Sequence, residues 1–435
     1  MNGLWNLART IYSYADCLQN LMSEFQALIC HLVLVEFFQV PALGMAEFAN
    51  SGLLQDAIAS AFPNYSITNV EDFKGNGGLS AEMQRVKVKS PDNSDLKKII
   101  FKSTKEAGVV SSKLFGLARE GVFFENLDAF GAFNGFLPEI YYSKGDMNTG
   151  IRTILMKDLS EEYVQSGYFF GSHSPLNWGK DVETLSKEVV IGEEPVLKEI
   201  MRSVATIAGK LHGTYWNDSS LVQHKFLKNS EMYHDEGKEG WLKKMSYLQS
   251  KWTKFTPKIK DESTGAHWSP QIIELINASL SQGNDWERFS EALHGIPFTL
   301  VHGDFHPANM MVNKKDRSIM LLDFEMVGVG LGVVDLGQYM ISHLECGQRK
   351  ELESDFVMNY HQELCIHIGE QAENYTFDQC WSDYGRGGTE KWMFLLIILA
   401  DMGLPSKIMQ YFHDQVFDFA TTHDVSASNI GPPRL

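Results

Sequence analysis

"LVHGDFHPANMMV", residues 300–312, and "IMLLDFEMVGVG", residues 319–330, decide the reading of this 435-residue chain. Asp304 and Asn309 stand in a stretch that is otherwise apolar or small, and Asp323 falls inside the second apolar run. Two short apolar runs with a tight polar link between them predict a β-hairpin-like pair. Asp304 then lies in the loop before the pair, Asn309 at the end of that loop, and Asp323 at the end of the second strand. A carboxylate, a carboxamide and a second carboxylate brought to one rim make a hard-oxygen set, which suits Mg²⁺. Taken singly, each half reads better as a turn, because Asp and Asn are common turn residues. Their joint spacing is what points to phosphotransfer.

The rest of the composition is that of a folded protein. Hydrophobic residues make up 44% and charged residues 21%, and the length allows two or three lobes. The formal net charge of −17 disfavours a nucleic-acid partner, which calls for a basic face. Cys17, Cys30, Cys346, Cys365 and Cys380 form no CxxC pair. That speaks against a disulfide framework and a structural zinc, and fits a reducing, cytoplasmic setting. The apolar stretch 21–45 carries Glu24, His31 and Glu36 and is interrupted by Pro41, so it is a poor membrane span. No basic region precedes a clean apolar one, and Asp16, Glu24 and Glu36 argue against a transit peptide. It reads as an amphipathic helix within an N-terminal helical extension, 1–54. In a second reading the natural chain begins at Met45 and the first 44 residues are an appendage.

Residues 66–104 give three strand-like runs, with a glycine-rich turn (Gly75, Gly77, Gly78) and the polar break "SPDNSD" between them. A helical pattern follows over 111–130, then two more strand-like runs, "LPEIYYSKG" and "IRTILMKDLS". This predicts a small β-rich unit over 55–157. Beyond it, 158–435 is mostly helical. "PVLKEIMRSVATIAGKLHGTYW" (195–216) carries Leu197, Ile200, Val204, Ile207 and Leu211 on one face, and "GGTEKWMFLLIILADMGLPS" reads as a buried helix. The fold class is α+β, in two lobes.

"HGDFHPANMMV" with "LLDFEMVGVGLGVVDLGQYM" resembles the catalytic core of the aminoglycoside phosphotransferase and choline kinase-like superfamily, relatives of the protein kinases. "LHGTYW" (211–216) resembles the helix end "LHxxYW" of choline-kinase-like and ecdysteroid-kinase-like members, and the likeness spans residues 60–345. It implies a bilobal protein-kinase-like fold with ATP and Mg²⁺ as cofactors. Matched residue by residue, Asp304 is the implied catalytic base, and Asn309 and Asp323 the implied metal ligands. His302 is the implied loop-shaping residue, and Asp335 the implied brace of that loop. Gly75, Gly77 and Gly78 fall in the phosphate-covering turn, although their spacing departs from GxGxxG. Lys102 matches the strand lysine that contacts phosphates, with Lys98 as competitor, and Glu120 its helix partner, with Glu125 as alternative. "TILMKDLS" matches the adenine-binding hinge, which brings in Met156 and Asp158.

The acceptor implied is a hydroxyl on a small molecule, bound by helices after Asp323. Trp381, Asp383, Tyr384, Trp392 and Asp401 combine aromatics with carboxylates, a set that can hold an amine. The same Trp and Tyr also read as core. Choline, an amino-sugar and a steroid-type alcohol all remain open. A catalytically weak pseudokinase or nucleotide-binding scaffold is the alternative, disfavoured by the joint presence of Lys102, Asp304, Asn309 and Asp323. The glycine run "GVGLGV" (328–333) lacks the βαβ context of a dinucleotide site.

Overall fold

The computed structural model describes residues 50–72, 81–131, 133, 135–182, 184, 196–234, 237–260, 265–432 and 434. The extension 1–49 and the three glycines of the expected phosphate-covering turn lie outside the described residues.

Helix α1 (Asn50–Ala61) leads into the antiparallel strands β1 (Ser66–Asp72), β2 (Ala81–Lys89) and β3 (Leu96–Thr104). Short helices α2 (Val109–Phe115), α3 (Arg119–Glu125) and α4 (Leu127–Phe130) precede β4 (Ile140–Asp146) and β5 (Ile151–Lys157), and the sheet order is β1-β2-β3-β5-β4. The two-residue period of a strand splits this sheet into two faces. Val86, Val88, Ile99, Phe101 and Leu155 pack under Leu54, Ala57 and Ile58 of α1. Ile100, Ile154 and Met156 join Phe123 and Phe124 of α3 in the main core. By that alternation Lys102 and Arg152 point toward α3 as well. "SPDNSD" is indeed a hairpin link. Ser90 Oγ and Ser94 N–H both donate to Asp92 Oδ1 (2.6 and 3.1 Å), and β2 pairs β3 from Lys89–Leu96 onward.

The expected single helix over 111–130 is instead three short ones. Gly116 ends α2 in the left-handed conformation at φ 65°, where a Cβ would collide with the Arg119 guanidinium. The break aims α3 so that Glu120 is fully buried beneath the sheet.

The larger part is helical: α5 (Val196–Thr214), α6 (Gly237–Lys260), α7 (Pro270–Asn284), α8 (Trp286–His294), α9 (Val333–His343), α10 (Cys346–Ile368), α11 (Phe377–Asp401) and α12 (Ser406–Thr422). Embedded among them are β6 (Tyr163–Gln165), β7 (Thr299–Val301), β8 (Met310–Asn313), β9 (Ile319–Leu321) and β10 (Gly328–Gly330). β7 pairs β10, and β8 joins β6 to β9, all antiparallel. The stretch read as a buried helix belongs to α11, whose buried residues include Trp392, Met393, Leu396 and Ile397. Among the described residues no helix is long and apolar enough to cross a membrane.

Candidate active site

The expected hairpin is present: Met310 pairs Leu321 and Val312 pairs Ile319. Its ends bring the polar residues together. The loop 302–309 runs from β7 to β8, and Asp323 follows β9 directly.

The loop is held from below. Asp335, at the start of α9, accepts the backbone N–H of His302 (2.7 Å) and of Gly303 (3.1 Å). Burial opposes its ionisation, but His212 and Lys391 outweigh that and hold its carboxyl below the ordinary range. The His302 ring is buried, and burial lowers its pKa. Its Nδ1 accepts from Asp304 N–H (3.3 Å) and its Nε2 donates to Leu322 O (2.9 Å), which places the neutral ring's proton on Nε2. One imidazole thus ties the loop to the end of β9. Gly303 has φ 79°, and a Cβ there would stand 2.2 Å from Met326 O. Glycine is required both by conformation and by that approach.

Asp304 accepts from Gln338 Nε2 (2.7 Å) and from Asn309 Nδ2 (3.1 Å), and His306 Nε2 stands 3.4 Å from Oδ2. Burial works against its ionisation, yet His306 and Lys391 prevail, and the carboxyl is held well below the ordinary range. It is a carboxylate at neutral pH, ready to accept a hydrogen bond. Asn309 donates its amide to Asp304, which leaves the amide oxygen to act as a ligand atom. The N–H of Leu322 donates to Asn309 O (2.9 Å), which joins it to the segment carrying Asp323.

Across the cleft Lys102 lies buried, with Nζ 2.7 Å from Glu120 Oε2 and 2.8 Å from Asp323 Oδ1. Residues 221 positions apart in sequence therefore share a hydrogen bond. The competing Lys98 pairs with Glu161, and Glu125 accepts from Gly145 N–H, so neither faces this cluster. Asp323 is in the left-handed region at φ 64°, an uncommon conformation for a residue with a side chain. Oxygens of Glu120, Asp323 and Glu325 lie within 4.8 Å of one another. Arg152 bridges two of them, with Nε 3.1 Å from Glu120 and Nη2 2.7 Å from Glu325. Burial and the neighbouring Asp323 push the Glu325 carboxyl up to about 7.

Sequence reasoning missed Arg152, Glu325, Gln338, Lys391 and His306. Gln338 carried a faint signal: it lies three residues after Asp335 on one helical face. Lys391, donating to Gly303 O at 2.9 Å, carried none.

Other expected site residues are placed elsewhere. Asp158 is engaged by Arg85 (2.6 Å) and by Ser160 N–H (3.0 Å), and Met156 is in the core, in register with both Ile100 and Ile140. Both side chains are engaged within the small lobe, and the contact to adenine implied for this run is one of backbone rather than side chain. The acceptor candidates are corrected more sharply. Tyr384 is fully buried, donates to Glu353 (3.2 Å) and packs on Phe419 and His423. Asp383 faces Arg434, Trp381 packs on His423, and Trp392 is buried against Phe412. Asp401 is 2.9 Å from Lys251. Aromatic helix positions are core positions here, because α11 is covered by α12 and the C-terminal segment.

These features define a two-lobed α+β protein whose charged cleft is assembled by both lobes. The chain belongs to the family described as "DUF1679: Uncharacterized oxidoreductase dhs-27", whose model matches residues 180–402. Solved structures are similar over most of its length. Choline kinase LicA from Streptococcus pneumoniae is 13% identical with a TM-score of 0.45, over 85% of this chain and 99% of that one. An ethanolamine kinase from Plasmodium vivax is 11% identical at 0.42, over 83% and 82%. The amicoumacin kinase hAmiN, in complex with AMP-PNP, Ca²⁺ and Ami, is 11% identical at 0.42, over 84% and 94%. No curated protein matches the sequence.

Proposed function

We propose that this chain is a phosphotransferase that uses ATP and Mg²⁺ to phosphorylate a hydroxyl of a small molecule. The observation that carries the reading is the single cleft in which a buried Lys102–Glu120 pair meets Asp323 from one side while Asp304 and Asn309 stand on the other. Phosphoryl transfer asks a protein mainly for positioning and charge neutralisation, with a carboxylate to receive the acceptor's proton. The donor chemistry fits a hard divalent cation: Asp323 keeps 17% of its side chain exposed, and the backbone of Asn309 is bonded to its chain neighbour Leu322. Glu120 and Glu325 are engaged by Lys102 and Arg152, which makes them supports of the metal position rather than its first ligands. When bound, the metal supplies charge neutralisation to the phosphates.

Lys102 exchanges its contact with Asp323 for phosphate oxygens, Glu120 and Arg152 hold it in place, and Asp304 orients and deprotonates the acceptor hydroxyl. Gln338 and Asn309 fix the carboxylate for that task. The description of the family names an oxidoreductase, but a dinucleotide of the usual kind asks for a parallel βαβ unit. The glycine run 328–333 instead forms an antiparallel edge strand and the turn into α9.

The test is ADP release from Mg²⁺-ATP across a panel of small alcohols, with Asp304→Ala as control. Turnover on one acceptor that disappears in the variant is expected. Nucleotide binding with no Asp304-dependent turnover on any alcohol would instead favour a scaffold.

A further inference from the structure

The helical side of the cleft carries a basic group that the phosphotransfer chemistry above does not use. Lys228 runs alongside β10: its N–H donates to Val327 O (3.0 Å) and its carbonyl accepts from Val329 N–H (2.9 Å). β10 pairs with β7, the strand that leads into His302, Gly303 and Asp304. Lys228 is thus one ladder away from the catalytic loop, and the field of Asp304 reaches it. Lys391 lies at the same loop, on Gly303 O. Lys244, on α6, is solvent-exposed, with its ammonium 5.3 Å from the Trp241 ring. Arg119 closes the set from the other lobe; its guanidinium bonds the carbonyls of Gly116 and Phe115 and leaves Nη1 buried without a partner among the described residues.

These cations are poorly compensated. Among the described residues Lys228 has no ion pair, and the acids whose fields enter the group are Asp304, Asp335 beneath Lys391, Glu231 near Lys244 and Arg119, and Glu325 near Arg119. Burial, with Lys244, Lys391 and Arg119 crowding in, pushes the Lys228 ammonium well below the ordinary lysine range. A chain of net charge −17 that nevertheless gathers more cations than acids beside its proposed base, with only Lys391 paired among the described residues, to Asp335, leaves the others for an anion. The nucleotide's phosphates are the less fitting anion. The charges that dominate at Lys102, where those phosphates would lie, are Asp323, Glu120, Arg152 and Glu325; those at Lys228 are Lys244, Lys391, Arg119 and Asp304. Lys228 beside β10 and Lys391 on Gly303 O both attach to the loop of Asp304, which in the phosphotransfer reading receives the acceptor hydroxyl, whereas Lys102 is on β3.

We propose that the acceptor alcohol carries an anionic group (a carboxylate, sulfate or phosphate) received by Lys228 and Lys244, with Lys391 beside them. This rests on the phosphotransfer reading and reverses the cationic acceptor that aromatics and carboxylates on α11 suggested.

The experiment saturates the protein with Mg²⁺ and AMP-PNP, so that the phosphate site is filled, and titrates inorganic sulfate by calorimetry. In parallel, ADP release is compared on three alcohols of similar size: 3-hydroxypropionate, 1,3-propanediol and choline. Sulfate should bind, the hydroxy acid should be preferred, and Lys228→Gln should weaken both by about tenfold, the size of one lost charge-assisted contact, with AMP-PNP affinity unchanged. The exposed Lys244→Gln keeps the test open if Lys228→Gln does not fold. Preference for choline, no sulfate binding, or sulfate binding indifferent to both substitutions overturns the proposal while leaving phosphotransfer standing. A loss of AMP-PNP affinity in Lys228→Gln assigns the lysine to the nucleotide and overturns it too. Failure of AMP-PNP to bind the wild type removes the phosphotransfer reading, and this inference with it.

Discussion

Two buried ion networks invite comparison. In the cleft, Lys102, Glu120, Arg152, Glu325 and Asp323 link the sheet to the segment after β9. At the far end, Arg349 on α10 pairs with Glu353 (2.6 Å) and with Asp418 of α12, lies over the Phe419 ring, and Glu353 takes Tyr384 and His423 as further partners. Both networks are rich in arginine and carboxylate. They differ in what their partners are. The distal network ties α10 to α11 and α12, and even its exposed edge, Asp418, is held by both Arg349 and Lys350, so the network is closed in its pairing. The cleft network ends on Asp323, which remains partly open, in an uncommon backbone conformation, next to the loop of Asp304. A closed set of charges fixes helix packing, and an open one is a place for a ligand. Perturbation should separate them: one loses activity, the other stability.

The largest effect expected is on the open side. Asp304→Ala should lower kcat by about 10³-fold, the scale of a general base, while nucleotide affinity changes little and the unfolding midpoint falls only by the share of its pair with His306. Steady-state ADP release and urea unfolding check both halves. If the same substitution unfolds the protein and leaves residual turnover, the loop is structural and the comparison fails.

Next comes the closed side. Arg349→Ala leaves Glu353 and Asp418 without their main cation and should cost about 3 kcal/mol of stability, as removal of one member of a buried pair does. Nucleotide binding by the folded fraction should persist. Equal loss of binding and stability would mean that the two networks are one.

A smaller effect is expected at Lys102→Met. Asp323 and Glu120 lose their ammonium, but Arg152 still serves Glu120 at 3.1 Å. Affinity for Mg²⁺-ATP should fall by about tenfold, read by calorimetry, because one charge-assisted contact to phosphate is lost. Unchanged affinity would detach Lys102 from the nucleotide.

The comparison also explains what the sequence could tell. The lobes were legible, because strand alternation at 66–104 and 151–157 and the helical period at 196–214 are imposed by burial along each element. Lys102, Glu120, Asp304, Asn309 and Asp323 were legible as a set, because a family pattern holds them in order, and the structure brings them into one cleft. Arg152 and Glu325 were not: each is a single charge in a local pattern that reads as strand or turn, and only the pairing of β3 with β5 sets Arg152 beside Lys102. Tyr384 and Trp392 read both as core and as an acceptor site, for the converse reason. An aromatic on a helix carries no mark of which face another helix will cover, and α12 covers theirs.

The last prediction sharpens the contrast through pH. His306 and Asp304 support each other across 3.4 Å. Burial opposes the charged ring, but Asp304 prevails and raises its pKa above the 6.5 of a free histidine. A histidine raised on folding contributes stability that is fully present below its unfolded value and is lost as pH rises through the folded one. Urea midpoints of the wild type should therefore fall on the alkaline side of 6.5, and His306→Gln should flatten that fall. In the distal network Glu353 is shifted the other way: burial opposes ionisation, but His423 and Arg349 prevail and hold its carboxyl below 4.5. Its contribution is present above 4.5 and is lost as pH falls through the lowered value, an edge that Glu353→Gln reduces while leaving the alkaline one intact. Asp304, lowered as well, adds its own loss on the acid side, so the acid edge belongs to both networks and the near-neutral one to the cleft. An alkaline fall that persists in His306→Gln would show that the cleft pair is not charged in the folded protein, and would take from Asp304 the cation that keeps it ionised.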